Sequence, residues 1–431
     1  MPSGANYDII NSAKQNTPAR HKGVPPGDIL EGKSMRTVGT VARGIRTPIF
    51  NEGDDLAALV VEALMAAQAE QGFEFHDRDV LAITESVLAR TQGNYATVEQ
   101  IAADVRAKFP GGVAGIVLPI LSRNRFSLLL EGISRGLDKL YIQLAYPSDE
   151  VGNHLVSLDM LDEKGIDPMK DLLTEARYRE LFGPEVKHPF TGVDYVTLYK
   201  QIAPNAEIFL ANDPRRMLDY TRHVIACDIH TRARTCRLLK AAGAETAISM
   251  ADILSAPVNG SGFNPDYGLY GSNLSTDKGG VKKVKLFPRD SQAFVEDVQR
   301  RLIKRTGRRI EVMVYGDGAF KDPVGKIWEL ADPVVSPGYT SGLEGTPNEL
   351  KLKYLADNAL KGMSGEQASA AAREAIRHKE GNLTGRMESQ GTTPRRLTDL
   401  LGSLCDLVSG SGDKGTPVVF IQGYFDNFAD E

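Results

Sequence analysis

The stretch Glu311-Val312-Met313-Val314-Tyr315-Gly316-Asp317-Gly318 constrains this chain more than any other. Its first five residues are mostly apolar and β-prone, and read as a buried strand. The strand stops at Gly-Asp-Gly, an acid between two residues that let the backbone turn tightly. A helix precedes it. Asp290 and Ser291 can cap that helix, Phe294, Val295, Val298, Leu302 and Ile303 recur at helical spacing, and Gly307 ends it. In open α/β sheets, ligands gather beyond the carboxyl ends of strands. Asp317 is therefore the first candidate for a metal-binding or phosphate-side residue. The plain alternative is a turn, where Gly and Asp are common for local reasons.

The chain is long enough, at 431 residues, for two or three domains with cores of their own. Its net charge of −5 offers no basic field for nucleic acid or anionic membrane, so neither is expected as a partner. Cys227, Cys236 and Cys405 are too few for a disulfide framework and match no zinc spacing. They read as reduced thiols, which with no visible secretory signal points to the cytoplasm. The longest apolar run, Val113–Leu121, contains Pro119 and is too short to span a bilayer.

The expected fold class is α/β (α+β), in six stretches. Residues 1–34, rich in Gly and Pro, read as an arm, either disordered or wrapped on a partner subunit. Residues 35–109 begin a core with a strand at Thr37–Ala42, the loop Arg46-Thr47-Pro48-Ile49, and a helix with Leu56, Leu59, Val60, Ala63 and Leu64 on one face. Asp54 and Asp55 read as its cap. A strand at Asp79–Thr84 leads into Glu85, Ser86 and Arg90; an Arg just past a strand end can clamp phosphate or carboxylate, or be a solvated surface Arg.

Residues 110–254 alternate apolar runs with helical patterns, as an inserted α/β unit would. His230 lies there between an acid and an Arg, with a structural role preferred, and His188 is weaker still. Residues 255–330 return to the core through a long Gly/Asn/Ser loop, Ala256–Asn273, able to present backbone N–H groups to an anion. The strand Val284–Pro288 follows it. Residues 331–395 combine a Pro/Gly-rich loop with helices at Glu349–Lys361 and Gln367–Arg377. Residues 396–431 close the core with a helix at Leu397–Val408, the turn Ser409-Gly410-Ser411-Gly412-Asp413-Lys414-Gly415, and a strand at Thr416–Gly423. That turn could cradle phosphate, but it lacks the Walker spacing and follows a helix.

Five blocks occur together and in order: Pro48–Leu56, Asp79–Gly93, Gly262–Asn273 with Leu286-Phe287-Pro288, Val312–Asp317 and Asp399–Gly423. In this the chain resembles the coenzyme F420-0:L-glutamate (γ-glutamyl) ligase family, with stretches 110–254 and 331–395 as additions that short members lack. The resemblance implies an unusual α/β fold built as an intertwined homodimer. It implies an enzyme that binds GTP (or ATP) with Mg²⁺ or Mn²⁺, forms an acyl phosphate on a carboxylate acceptor, and lets the amine of an amino acid such as glutamate attack it. By the same resemblance Asp317 matches a metal-binding and catalytic Asp. Arg46, Thr47, Pro48, Ile49, Glu85, Ser86, Arg90, Ser272, Asn273 and Ser409 to Lys414 match nucleotide contacts, Arg90, which stands where the family has a Lys, being also a catalytic candidate. Tyr270, Gly318 and Ser411 replace the family's second metal-binding Asp, a Thr and a metal-binding Glu. Asp266, Asp322 and Asp413 are the acids that could substitute, Asp266 foremost. A divalent cation on phosphate needs oxygen ligands, preferably carboxylates. The alternative is a chain that keeps the fold and binds a ligand without the standard reaction.

Overall fold

A computed structural model of the chain describes residues 37–121, 126–150, 152–189, 191–228, 231–270, 273–276, 280–316, 320–321, 328–329, 336–389, 395–409 and 413–429. In chain order the first strands and helices are β1 (Val41–Ile45), α1 (Leu56–Gln71), β2 (Val80–Thr84), α2 (Glu85–Thr91), β3 (Tyr95–Thr97) and α3 (Val98–Lys108). Next come β4 (Val113–Val117), α4 (Phe126–Arg135), β5 (Lys139–Leu144), α5 (Leu158–Lys164), β6 (Leu173–Thr174), α6 (Glu175–Phe182) and α7 (Tyr195–Ile202). They continue with β7 (Ala206–Leu210), β8 (His223–Ala226), α8 (Arg232–Ala241), β9 (Thr246–Ser249), β10 (Asn273–Thr276), β11 (Lys282–Lys285) and α9 (Ser291–Thr306). The last are β12 (Glu311–Tyr315), β13 (Phe320–Lys321), β14 (Trp328–Glu329), β15 (Gly338–Tyr339), α10 (Leu352–Asp357), α11 (Gly365–Arg377), α12 (Leu397–Ser409) and β16 (Val418–Gln422).

The core sheet has the order β1-β16-β2-β12-β15. β2 and β12 run parallel, and β16 lies antiparallel to both β1 and β2. Alternate side chains go to opposite faces. Leu81, Ile83, Val312, Val314, Val418 and Phe420 meet α1 and α9, while Val80, Ala82, Met313, Tyr315, Val419 and Ile421 meet α12 through Leu401 and Cys405. Both faces are covered, which is why β12 reads as a continuous apolar run rather than an alternating one. Burying each such side chain contributes about 1.5–3 kcal/mol.

The second sheet has the order β6-β7-β5-β4-β8-β9, parallel throughout except for β6. Helices α4 and α7 pack on one face and α8 on the other. A small antiparallel sheet, β10-β11-β3, joins the two, because β3 follows directly on α2 of the core. Its Ala96 and Val284, with Leu286 just past β11, are buried with the second sheet's core.

Several elements differ from expectation. The first strand runs Val41–Ile45 rather than Thr37–Ala42, since its pairing with Val418–Gln422 decides its bounds. The helix expected over Glu349–Lys361 shortens to Leu352–Asp357, where Leu355 alone is buried. The strand expected at Val284–Pro288 is Lys282–Lys285, the part that reaches both neighbours. Ile303 is 42% exposed, so the buried stripe of α9 is Val295, Val298 and Leu302. Asp290 precedes that helix with φ 53° and makes no side-chain cap. Asp55 does cap α1, accepting from Ala58 N at 3.0 Å, and Asp54 accepts from Asn51 N at 2.6 Å.

Candidate functional site

Strand direction decides what meets at each edge of the core sheet. β2 and β12 end together, with Thr84 opposite Tyr315. β16 begins where they end, with Val418 opposite both Ile83 and Ile45, the last residue of β1. One edge therefore carries the exits of β1, β2 and β12 and the entrance to β16. These are the Arg46–Ile49 loop, the Glu85–Ser86 start of α2, Gly316 leading to residue 317, and the turn after α12.

Hydrogen bonds tie these pieces together. Thr47 N donates to Gly415 O at 3.3 Å and Thr84 N to Pro417 O at 3.0 Å. Thr416 Oγ1 donates to Ser409 O at 3.2 Å, closing the mouth of the terminal turn. Arg90 Nε donates to Phe50 O at 2.6 Å, and Gly53 N to Thr91 O at 2.9 Å, so the loop after β1 lies across α2. Burial raises the Tyr315 phenol, with Ser409 beside it pulling the other way.

Charge collects at this edge. Arg46, Asp413 and Lys414 are exposed, as are Pro48 and Ile49; Thr47 and Ser86 are half-buried, and Glu85 and Ser409 are buried. Lys285 Nζ donates to Ser86 Oγ. Burial raises the Tyr95 phenol, and Arg90, Glu52, Lys283 and Glu85 are the charges that act on it. Gly93, at φ +60°, leaves room for Glu52, whose Oε1 would lie 2.4 Å from a Cβ there. Lys283, Lys285, Glu52 and Tyr95 were not anticipated. The signal was the alternation Lys283-Val284-Lys285, which puts both amines on one face of a strand whose Val284 is buried.

Other candidates lie elsewhere or out of view. Asp317, Ser272, Gly410, Ser411, Gly412, Asp322, Gly318 and His230 are outside the described residues, as is the side chain of Asn273. Asp266 is exposed, its N–H donating to Asn264 Oδ1 at 3.0 Å. Its loop is held by Asn264, which donates to Phe287 O and Pro288 O, and by Asn94, which donates to Phe263 O. Tyr270 is fully buried; its hydroxyl shares its proton between Ala226 O, at 3.1 Å on the last residue of β8, and Asp228 O, at 3.0 Å just past it, with Arg232 over its ring at 4.8 Å. Burial drives its phenol far up, so it is a neutral structural group and no substitute for a metal-binding carboxylate. Among the described residues no cluster of three or more His, Cys, Asp or Glu is placed to hold a metal ion. His188 is buried, with Nε2 2.9 Å from Asp149 and Nδ1 accepting from Thr191 N, a structural pair. Cys227 and Cys405 are buried, Cys236 half-buried, and all three are free thiols. No described helix is long and apolar enough to cross a membrane.

No individually curated protein matches the chain. The sequence model of one family, described as F420-0:Gamma-glutamyl ligase, matches residues 44–423. That span begins within β1, ends just past β16, and takes in every segment gathered at the charged edge; the chain belongs to the F420-0:gamma-glutamyl ligase family.

Proposed function

We propose that the chain is a nucleotide-dependent ligase that joins an amino acid, glutamate by preference, to a carboxylate acceptor through an acyl phosphate. The observation that carries this is the meeting of the Arg46–Ile49 loop, the start of α2, the exit of β12 and the terminal turn at one sheet edge. A triphosphate needs several cationic and N–H donors on one side, and Arg46, Arg90, Lys285 and Lys414 would supply the cations. Either GTP or ATP fits a phosphate-directed site of this kind, and a homodimer is the expected assembly.

In the reaction, an acceptor carboxylate oxygen attacks the γ-phosphorus and the nucleoside diphosphate leaves. The amine nitrogen then attacks the acyl carbon, phosphate leaves, and the nitrogen gives up a proton. Arg90 would orient the transferring phosphoryl group, its guanidinium held by Phe50 O. The loop across α2 would limit water, which competes with the amine for the acyl phosphate. Mg²⁺ or Mn²⁺, when bound, would neutralise phosphate charge; Asp317, two residues past β12, is the proposed ligand, while the described carboxylates alone do not complete a set.

The second reading, a family member that binds its ligand without the standard reaction, is favoured by Tyr270, locked onto β8 where the family places an acid. Turnover separates the two. With glutamate, a carboxylate acceptor and Mg²⁺ or Mn²⁺, a ligase converts GTP or ATP to diphosphate and phosphate in step with amide formation. Nucleotide binding without such turnover, across a panel of acceptors, would establish the second reading.

A further inference from the structure

The opposite edge of the core sheet carries a feature that ligation does not use. Two adjoining cavities lie there, of about 590 Å³ and about 250 Å³, sharing Arg78, Phe425 and Asp426. The larger is walled in part by Leu350, Ile376, Leu397, Tyr424 and Phe428 and elsewhere by polar groups that include Glu344, Glu349 and Lys379. The smaller is acidic, with Asp77, Asp79 and Asp426. Between them Arg78 sits at φ 66°, a strained conformation for a residue with a side chain, its guanidinium stacked 4.1 Å from the Phe425 ring centre.

The described chain starts beside these cavities. Val41 pairs with Gln422, and Thr40 Oγ1 donates to Gly423 O at 3.3 Å. Gly423 itself lines the smaller cavity. Thr40 therefore lies at the cavity rim, three residues after Thr37. The order of the residues before Thr37 suits it: Arg36 and Lys33 come first, and Ile29 and Leu30 lie seven to eight residues upstream of Thr37, within roughly 25 Å of extended chain. Residues 1–36 hold five Lys or Arg against three Asp or Glu, in a chain whose net charge is −5.

We propose that residues 28–36 of this chain occupy the double cavity of the same chain. Arg36 and Lys33 face the acidic part, Ile29 and Leu30 fill the apolar part, and Asp28 and Glu31 lie toward Arg78 and Lys379. Docking in this way completes the burial of the half-buried Tyr424, Phe425 and Phe428, and it places the arm at the end of the sheet remote from the phosphate-side loops.

Hydrogen–deuterium exchange on the full chain tests this. In an Ile29→Asp/Leu30→Asp variant, amides of residues 344–352 and 423–428 exchange roughly tenfold faster than in the parent, while β2 amides stay protected. An Ile9→Asp/Ile10→Asp variant exchanges like the parent at all of these sites. Equal exchange in the Ile29/Leu30 variant and the parent would overturn the proposal. So would protection in the parent that falls on dilution, which would mean that a second copy supplies the arm.

Discussion

Tyr270 is a scaffold residue by its contacts, buried with its hydroxyl turned to the backbone at the end of β8. Its single hydroxyl proton is shared between Ala226 O at the end of β8 and Asp228 O just past it, and a phenol held neutral by burial has little use as a cation ligand. Tyr270→Phe should cost about 1–2 kcal/mol, read by urea unfolding with an unchanged slope, since the ring stays and two acceptors lose their donor. Asp194 makes a sharper electrostatic case. Burial acts to raise its carboxyl, but Arg179 at 2.6 and 2.8 Å, with the N–H groups of Thr197 and Val186, brings it down to about 2. A carboxyl lowered from 3.8 adds stability that is full above that value and is lost as pH falls through about 2. Asp194→Asn should therefore destabilise by about 2–3 kcal/mol at pH 7, leaving Arg179 unpaired, with the gap from the parent closing between pH 4 and 2. A difference that is flat with pH would remove the ion pair as its cause. Caps at Asp54 and Asp55 were legible in the sequence because their partners lie within three residues. Lys285 was not, because it meets Ser86, 199 positions away, only through the pairing of β11 with β3.

At the scale of elements, the long loop 255–270 is fastened at points the sequence only hinted at. Gly268, at φ +50°, is the tightest. A Cβ there would lie 2.4 Å from Ile253 O, 2.5 Å from Ala251 O and 2.6 Å from Met250 O, all backbone atoms that cannot swing aside. Gly268→Ala should cost more than about 2 kcal/mol or detach the loop, with faster amide exchange over 262–270; parent-like stability and exchange would show that the backbone relaxes freely. The strands β2, β12 and β16 were readable because both faces are covered and all but one end residue of each, Thr84, Glu311 and Gln422, is apolar or aromatic. β3 and β15 were not, being three and two residues long and shaped by their neighbours. The Gly-Asp-Gly stop was readable as a strand end, since β12 ends at Tyr315. What Asp317 touches was not, since one acid at a turn has the same sequence signature whether or not it binds a metal.

Across the whole molecule, strand direction in one sheet separates two kinds of chemistry. The edge where β1, β2 and β12 end gathers charged side chains of both signs, Arg46, Arg90, Lys285 and Lys414 with Glu52, Glu85 and Asp413; the edge where they begin holds the two cavities beside the start of the described chain. No single motif announced this separation, because it follows from β16, the last strand in sequence, inserting between β1 and β2. The phosphate-side edge is the part on which the ligase reading stands, and nucleotide affinity probes it directly. Calorimetric titration of GTP and of ATP, with Mg²⁺ or Mn²⁺, would compare the parent with Arg90→Ala and Asp317→Asn. Binding to the parent that weakens about tenfold or more in each variant is the predicted result, as loss of one charged contact to phosphate implies. Equal affinity in all three proteins would contradict it and move the nucleotide site away from the end of β12.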